Sequence, residues 1–379
     1  MDDDTWSDTP VDTVGVHLFD ATEGRAQHAR DSEVSRCTAT VSLASHLSET
    51  GCLVDNRPMS DDANTVPANP DSGDQPAEAA DHAVPQGAIV VGVDGSEQAQ
   101  RALAWAVTDA ARRSRPLHLL CARESYIGAA HLDSAVEWSD PSLEALDSSK
   151  EVTDRAVEYV HSIAPDLPVT VSRPWGRPAQ HLVIASREAE LVVVGSRGHG
   201  GLSAVVMGTV SLQTAAHARC PVVVVRDGHP EHPGGPLRIT VGVDGSHDST
   251  QAVQFAMRMA GAGGSVTLVL AWWLEVVNGM VVTTPESEGW KTVTAKHEAT
   301  LEKSLGSARQ EHPDVQVHTR IERGRTEEVL LDAVQGSDLT VVGSRGRGGF
   351  SGLLLGSVSQ HMLTAAPCPV AVMVNRRDG

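Results

Sequence analysis

"AIVVGVDGSEQAQRALAWAVTDAARR", residues 88–113, opens as an unbroken apolar run, turns at Asp94-Gly95-Ser96, and continues with apolar residues at helical spacing. An unbroken apolar run suits a strand covered on both faces, as in a parallel sheet. Ala99, Leu103, Ala106, Val107 and Ala110 fall on one helical face, with Ser96 placed to cap it. Working outward, "PLHLLCARE" (116–124) is a second short apolar run. A variable segment follows, then a helix over "KEVTDRAVEYVHSIAP" (150–165), with Ala156, Val157, Val160 and Ile163 on one face. "PVTVSRPWG" reads as a strand, "PAQHLVIASREA" as a helix and "LVVVG" (191–195) as a strand. A glycine-rich loop, another helix and the strand "CPVVVVR" complete the unit. Strands alternating with helices imply a mostly parallel, doubly wound α/β sheet.

The whole order then recurs. "RITVGVDGSHDSTQAVQFAMRMA" (238–260) matches the opening unit, with Asp244 lying 150 residues after Asp94. "VTLVLAWW" matches "LHLLCARE", and "VQVHTRIERGRTEEVLLDAV" matches "VTVSRPWGRPAQHLVIAS". Gly346 follows Gly198 by 148 residues. Near-constant offsets mean duplication of one α/β unit. The expected division is a first domain over 87–226, a Gly- and Pro-rich linker over 227–236, and a second domain over 237–379. His229 and His232 in the linker lack the further ligands nearby that a metal site requires.

Residues 1–86 differ in kind. They hold 17 Asp/Glu against 4 Arg/Lys, and so carry most of the chain's net charge of −19. Their Pro-, Asp- and Ala-rich later part has almost no bulky apolar residue, so a disordered acidic extension is expected. A start of translation at Met59 is a further expectation, tested by the intact mass of protein from its host. The acidity argues against nucleic acid or an anionic membrane as partner. No apolar run approaches the ~20 residues of a spanning helix, and the acidic N-terminus is unlike a secretory signal. Cys37, Cys52, Cys121, Cys220 and Cys368 show no CxxC spacing. A reducing cytoplasm is the expected compartment.

The two glycine loops, "VVVGSRGHGGLSAVVMGTVS" (192–211) and "TVVGSRGRGGFSGLLLGSVS" (340–359), share Gly-Ser-Arg-Gly, nine drifting residues, then Gly-Thr or Gly-Ser and Val. Gly195 and Gly343 end a strand at its carboxyl edge, where open α/β sheets bind ligands. Gly198 and Gly346 would let the backbone turn against a ligand, and successive amides in such a turn form an anion nest. Gly208-Thr209 and Gly356-Ser357 then open a helix whose N–H groups and hydroxyl can hold phosphate. No GxxxxGK[ST] string exists, and none of the four lysines lies in either loop. Asp94 and Asp244 could accept a ribose's hydroxyls or cap the helix that follows; position alone leaves both open.

"VGVDGS", "VVGSRG", the G-x2-G-x9-G-[ST] spacing and the terminal "CPVVVV" resemble the universal stress protein family in tandem form. The resemblance covers about 87–226 and 237–375, and the glycine spacing fits the ATP-binding branch. It implies five-stranded, doubly wound sheets related to the adenine nucleotide alpha hydrolases, paired through their last strands into an intrachain pseudo-dimer, with homodimers not excluded. It implies ATP as ligand, magnesium being an optional companion. Asp94 and Asp244 would meet the ribose or adenosine side, and Ala122 and Ala271 would present backbone to adenine. Gly195, Gly198, Gly208, Thr209 and Val210 would hold phosphates in the first half. Gly343, Gly346, Gly356, Ser357 and Val358 would do so in the second. Arg197 and Arg345 would either pair with phosphate or face solvent.

Hydrolysis requires a positioned water and charge neutralisation on the transferring group. The loops offer amides, a hydroxyl and one arginine in the first half or two in the second. The expected function is therefore an ATP-binding stress or dormancy regulator with little or slow hydrolysis. A nucleotide hydrolase or phosphotransferase of the same superfold, and an interaction module that binds no nucleotide, are the alternatives.

Overall fold

A computed structural model of the chain describes residues 83–123, 141–197, 207–274, 276–277, 279–282, 284–285, 287–346 and 355–374. The expected extension up to residue 82, the start at Met59 and the cradle residue Gly198 lie outside them. The first half runs β1 (Ile89–Gly92), α1 (Glu97–Arg113), β2 (Leu117–Leu120), α2 (Pro141–Ile163), β3 (Val169–Ser172), α3 (Pro178–Ala185), β4 (Leu191–Gly195), α4 (Thr209–His217) and β5 (Val222–Val225). The second runs β6 (Arg238–Gly242), α5 (His247–Ala260), β7 (Ser265–Trp272), a hairpin of β8 (Val276–Val277) and β9 (Met280–Val281), α6 (Glu288–Leu305), α7 (Ala308–Glu311), β10 (Gln316–Arg323), α8 (Thr326–Ala333), β11 (Leu339–Gly343), α9 (Ser357–Ala365) and β12 (Val370–Met373).

Ten strands form one continuous sheet in the order β10-β7-β6-β11-β12-β5-β4-β1-β2-β3. Within each half the order is third, second, first, fourth, fifth, and every ladder is parallel. The halves meet where β12 pairs antiparallel with β5, Ala371 opposite Val223. Both strands are buried along their whole length, and the residues that pair, Val222–Val224 and Val370–Val372, are valines and one alanine, which is why two short apolar runs can make a seam in mid-sheet. Strand residues alternate between two apolar layers. Ile89, Val91, Leu117 and Leu119 belong to the layer that takes in α1, α2, α5 and α6, whereas Val90, Val192, Val194 and Leu120 belong to the layer on the other face, with α3, α4, α8 and α9.

Helix α1 forms as its sequence dictates. Ser96 Oγ accepts the Ala99 N–H at 3.2 Å, Glu97 stands in the first turn, and Arg112 and Arg113 stand in the last. Ala99, Leu103, Ala106, Val107 and Ala110 are all buried. Helix α2 differs from expectation at both ends. It begins at Pro141 rather than near Lys150, and Ile163 at its end is 49% exposed, beyond the reach of the core that buries Ala156 and Val160. Cys121, Cys220 and Cys368 are buried free thiols. Among the described residues no helix is long and apolar enough to cross a membrane.

A second junction lies beside the sheet. The wholly buried Asp109 carboxylate takes Arg112 at 2.8 Å and Arg113 at 2.7 Å, and Arg112 also donates to the Met259 carbonyl of α5 at 2.9 Å. The linker is pinned here by its two histidines. His232 packs edge-on to Trp105, with Nε2 3.6 Å from Asp109 and Nδ1 accepting the Gly234 N–H. His229 Nδ1 accepts the Arg226 N–H at 2.9 Å, so its proton is on Nε2, which donates to the Ala366 carbonyl at 3.2 Å.

That arrangement holds His229 neutral. Burial above all, and Arg226 nearby, push its pKa from 6.5 down to about 4, although the bond to Ala366 works the other way. The unfolded imidazole takes a proton near pH 6.5 while the folded one refuses it until about 4. Stability is thus full above pH 6.5 and falls as the pH drops toward 4, by roughly 3 kcal/mol. Denaturant unfolding across that range should show this acid limb in the wild type, and His229→Ala should flatten it.

Candidate functional site

Chain entry to the carboxyl edge is built the same way in both halves. After β1, Asp94 Oδ1 accepts the Ser96 N–H at 2.9 Å and the Ser96 hydroxyl at 2.6 Å. After β6, Asp244 Oδ1 accepts the Ser246 N–H at 2.9 Å. Gly95 and Gly245, between them, have φ of 83° and 78°, a left-handed turn that glycine makes without strain. The caps proper are Ser96 and Ser246, whose hydroxyls accept from Ala99 and Ser249. The aspartates are not themselves the caps; they are anchored through Oδ1 at the sheet edge.

The glycine loops are pinched at their necks. Gly208 N–H donates to the Ser196 carbonyl at 2.7 Å, and Gly356 N–H to the Ser344 carbonyl at 2.8 Å. Ser196 and Ser344 in turn donate from their amides to Val225 and Met373, tying each neck to the last strand. Between the necks the loops run through residues outside the described set. Beyond them α4 and α9 open at Gly208 and Gly356 with no side-chain cap, leaving amide donors at the helix ends beside the exposed hydroxyls of Thr209 and Ser357. Val210 and Val358 pack partly into the core beneath.

Each glycine has its own reason. A β-carbon on Gly195 would lie 2.7 Å from the Gln98 carbonyl, and one on Gly343 would lie 2.9 Å from Asp248 Cβ. Both let the first turn of α1 or α5 press onto the strand end, a packing role beside the expected ligand role. A β-carbon on Gly346 would stand 2.8 Å from Asp244 Oδ2. The second half thus brings Asp244 and Gly346 together. A β-carbon on Gly208 would lie 3.1 and 3.2 Å from Ser196 O and Arg197 Cα, and one on Gly356 would lie 3.6 Å from the equivalent Ser344 and Arg345 atoms. Ala122 and Ala271 stand one strand further out, Ala122 two residues past β2 and Ala271 next to last in β7. Arg197 is mostly buried, 3.9 Å from Asp227, and Arg345 is half-buried.

Sequence reasoning passed over the serines that hold this frame. Ser211 Oγ donates to the Gly195 carbonyl at 2.6 Å, and Ser359 Oγ to the carbonyls of Ser344 and Gly356 at 3.1 and 2.8 Å. The signal was present, because "GTVS" and "GSVS" keep that serine in register. Ser211→Ala should cost about 1 kcal/mol of unfolding free energy, since the Gly195 carbonyl it serves is buried. Denaturant titration checks this.

One feature is exchanged between the halves. Arg123 Cζ lies 4.7 Å over the ring of Trp175, and Arg323 Cζ lies 5.9 Å from the ring of Trp272. The matching bonds Gly176 N–H to Arg123 O and Gly324 N–H to Trp272 O show these to be equivalent places. Cation and aromatic have changed strands. Trp272 is buried against Trp290 and His297, whereas Trp175 is 39% exposed.

Comparison with known proteins adds the following. The model of the Universal stress protein family matches residues 87–226 and 237–374. A universal stress protein of Mycolicibacterium smegmatis is 32% identical over 296 residues, covering 75% of this chain and 96% of that protein. Universal stress protein Rv2005c of Mycobacterium tuberculosis is 31% identical over 299 residues, 76% of this chain and 97% of its own. Among solved structures, a universal stress protein from Archaeoglobus fulgidus superposes with a TM-score of 0.55 at 19% identity, covering 76% of this chain and 98% of its own; it supports the fold alone.

Proposed function

The chain belongs to the universal stress protein family, and on that premise we propose that each half binds ATP at the carboxyl edge of its strands. The protein acts in this reading as a cytoplasmic, nucleotide-dependent stress or dormancy regulator, with domains over 87–226 and 237–379 joined by 227–236 and paired as an intrachain pseudo-dimer. Asp94 and Asp244, anchored through Oδ1, would receive the ribose, and the backbone at Ala122 and Ala271 the adenine. Gly195, Gly198, Gly208, Thr209 and Val210 would cradle phosphates in the first half. Gly343, Gly346, Gly356, Ser357 and Val358 would cradle them in the second.

The observation that carries the reading is the matched neck: Ser196–Gly208 and Ser344–Gly356, each closing a loop directly before an uncapped helix. Amides and a hydroxyl at a helix N-terminus suit a phosphate. The tight approach of Gly346 to Asp244 sets the phosphate turn beside the carboxylate that would take the sugar. This donor set binds the ground state, and nothing in it favours a transition state over it, so turnover is slow.

The test is direct. Denaturing purified full-length protein and chromatographing the released small molecules should yield adenine nucleotide, and calorimetry should show ATP binding. Absence of ATP binding overturns the reading, and turnover near the ~10 s⁻¹ of ordinary enzymes would move the protein to the hydrolase class.

A further inference from the structure

Two arginines at the carboxyl edge of the first half stand without a carboxylate. Arg123, three residues past β2, and Arg173, directly after β3, are both half-buried. The ladder that pairs Leu120 with Ser172 runs on past the strand ends. Cys121 N–H donates to Ser172 O at 3.0 Å and Arg123 N–H to Pro174 O at 2.8 Å, so the arginines leave neighbouring strands at adjoining places. Each is held in position. The Arg123 guanidinium lies over Trp175, and Arg173 Nη1 donates at 3.1 Å to Oγ1 of the buried Thr153 on α2. Among the described residues no carboxylate pairs with either, and Arg123 Nε is buried without a hydrogen-bond partner. The acids of the elements around them are engaged elsewhere: Asp94 holds Ser96, Asp154 takes Lys150 at 2.5 Å, and Glu151 faces Arg155 at 3.9 Å. The Cys121 thiol is no counter-ion either. Burial above all, and then Asp94, push its pKa up to about 11 against the pull of Arg173 and Arg123, so it is protonated at neutral pH.

The second half closes the same place with hydrocarbon. By the matched Gly176 and Gly324 bonds, Trp272 stands where the first half has Arg123, and Ile321 where it has Arg173. Both pack into the core, so the fold itself does not require cations there. A half-buried cation is costly without a counter-charge, and a buried donor calls for an acceptor. We infer that Arg123 and Arg173 form an anion site in the first half, separate from the glycine cradle, that takes a phosphoryl group. A carboxylate is satisfied by one guanidinium fork, whereas a tetrahedral dianion matches two forks in charge and in number of acceptors. The site adjoins Ala122 at the end of β2, away from the loop necks. Its phosphoryl group is supplied by inorganic phosphate or by a second phosphate on a nucleotide seated at Asp94 and Ala122. Only the second source rests on the nucleotide reading above.

The experiment is calorimetric titration of the full chain with inorganic phosphate, carrying Gly208→Val and Gly346→Val so that both cradles are closed. One phosphate should bind, and Arg123→Gln or Arg173→Gln should each weaken it at least about tenfold. Adenosine 3′,5′-bisphosphate and AMP, titrated into the wild type, separate the two sources. A gain of at least about tenfold for the bisphosphate at one site, lost in Arg123→Gln, assigns the group to the nucleotide. Equal affinities, with inorganic phosphate still bound, assign it to free phosphate. Absence of both phosphate binding and the bisphosphate gain overturns the inference, as does phosphate binding that survives both arginine replacements. Glu124, next in the chain after Arg123, lies outside the described residues. Phosphate binding that emerges only with Glu124→Gln would make that carboxylate the partner of the pair and overturns the inference too. Failure to bind ATP with phosphate still bound overturns the nucleotide reading and leaves this site standing. Thermal melts of each variant confirm that it is folded.

Discussion

Gly346→Val is expected to weaken ATP binding in the second half by roughly 100-fold, about 3 kcal/mol, and to leave the first half untouched. The first side-chain atom would already stand 2.8 Å from Asp244 Oδ2, inside the distance real contacts show. Asp244 cannot simply rotate away, because its other oxygen holds the Ser246 N–H that starts α5. The substitution must therefore displace the carboxylate or open the phosphate turn, and the two methyls of valine also fill space the ligand would enter. Sugar and phosphate contacts are lost together, which is why the effect exceeds that of removing one hydrogen bond. Calorimetry would read it as loss of one of two binding events. Two intact events after the substitution would mean that Gly346 does not line the site.

The largest effect on stability is expected from Asp109→Ala, at about 3 kcal/mol, because it leaves Arg112 charged and largely buried with only the Met259 carbonyl and takes from Arg113 one of its two carboxylates, Glu190 remaining. The junction between α1, the linker and α5 is organised around this one carboxylate. Burial alone would raise its pKa, but His232 and the guanidinium groups of Arg113 and Arg112 outweigh burial and hold it at about 2 against an ordinary 3.8. The unfolded carboxyl binds its proton first as the pH falls. This stabilisation is therefore full above pH 3.8 and disappears toward pH 2, by roughly 2 kcal/mol. The acid limb lies below the one caused by His229, so the wild type should lose stability in two ranges. Asp109→Ala should start lower and lack the second. Chemical unfolding between pH 7 and the acid transition checks both; a variant within about 0.5 kcal/mol of wild type would remove Asp109 from the junction's account.

Much of the architecture is legible in single residues. Val and Ile runs four or five long, each followed by helical spacing, give the βα units, and the Ser96 cap follows from its position alone. Other features depend on distance in space. Ile163 keeps the helical phase of Ala156 and Val160 but is half exposed, and phase says nothing of where a core stops. Gly195 reads as a ligand glycine, yet the atoms nearest its missing side chain are backbone of Gln98, almost a hundred residues earlier. The aspartates offered two roles, sugar acceptor and helix cap; the neighbouring serines take the cap and so remove one of them. The bond from Ser357 Oγ to Glu327 Oε1, at 3.4 Å, is likewise invisible from the loops, because the two residues lie 30 apart on different helices.

The exchanged pair of arginine and tryptophan has a consequence for how the halves could have diverged. If both descend from one ancestral unit, the contact was inherited while its partners traded places. No single substitution connects the two arrangements without a state in which two rings or two cations face each other. Arg123→Trp or Trp175→Arg alone should therefore be worse than both together, a compensated pair whose members are each harmful in the other's absence. Each half is in this sense trapped in its own solution. A segment copied from one half into the other would be tolerated only when both strands that carry the pair move with it.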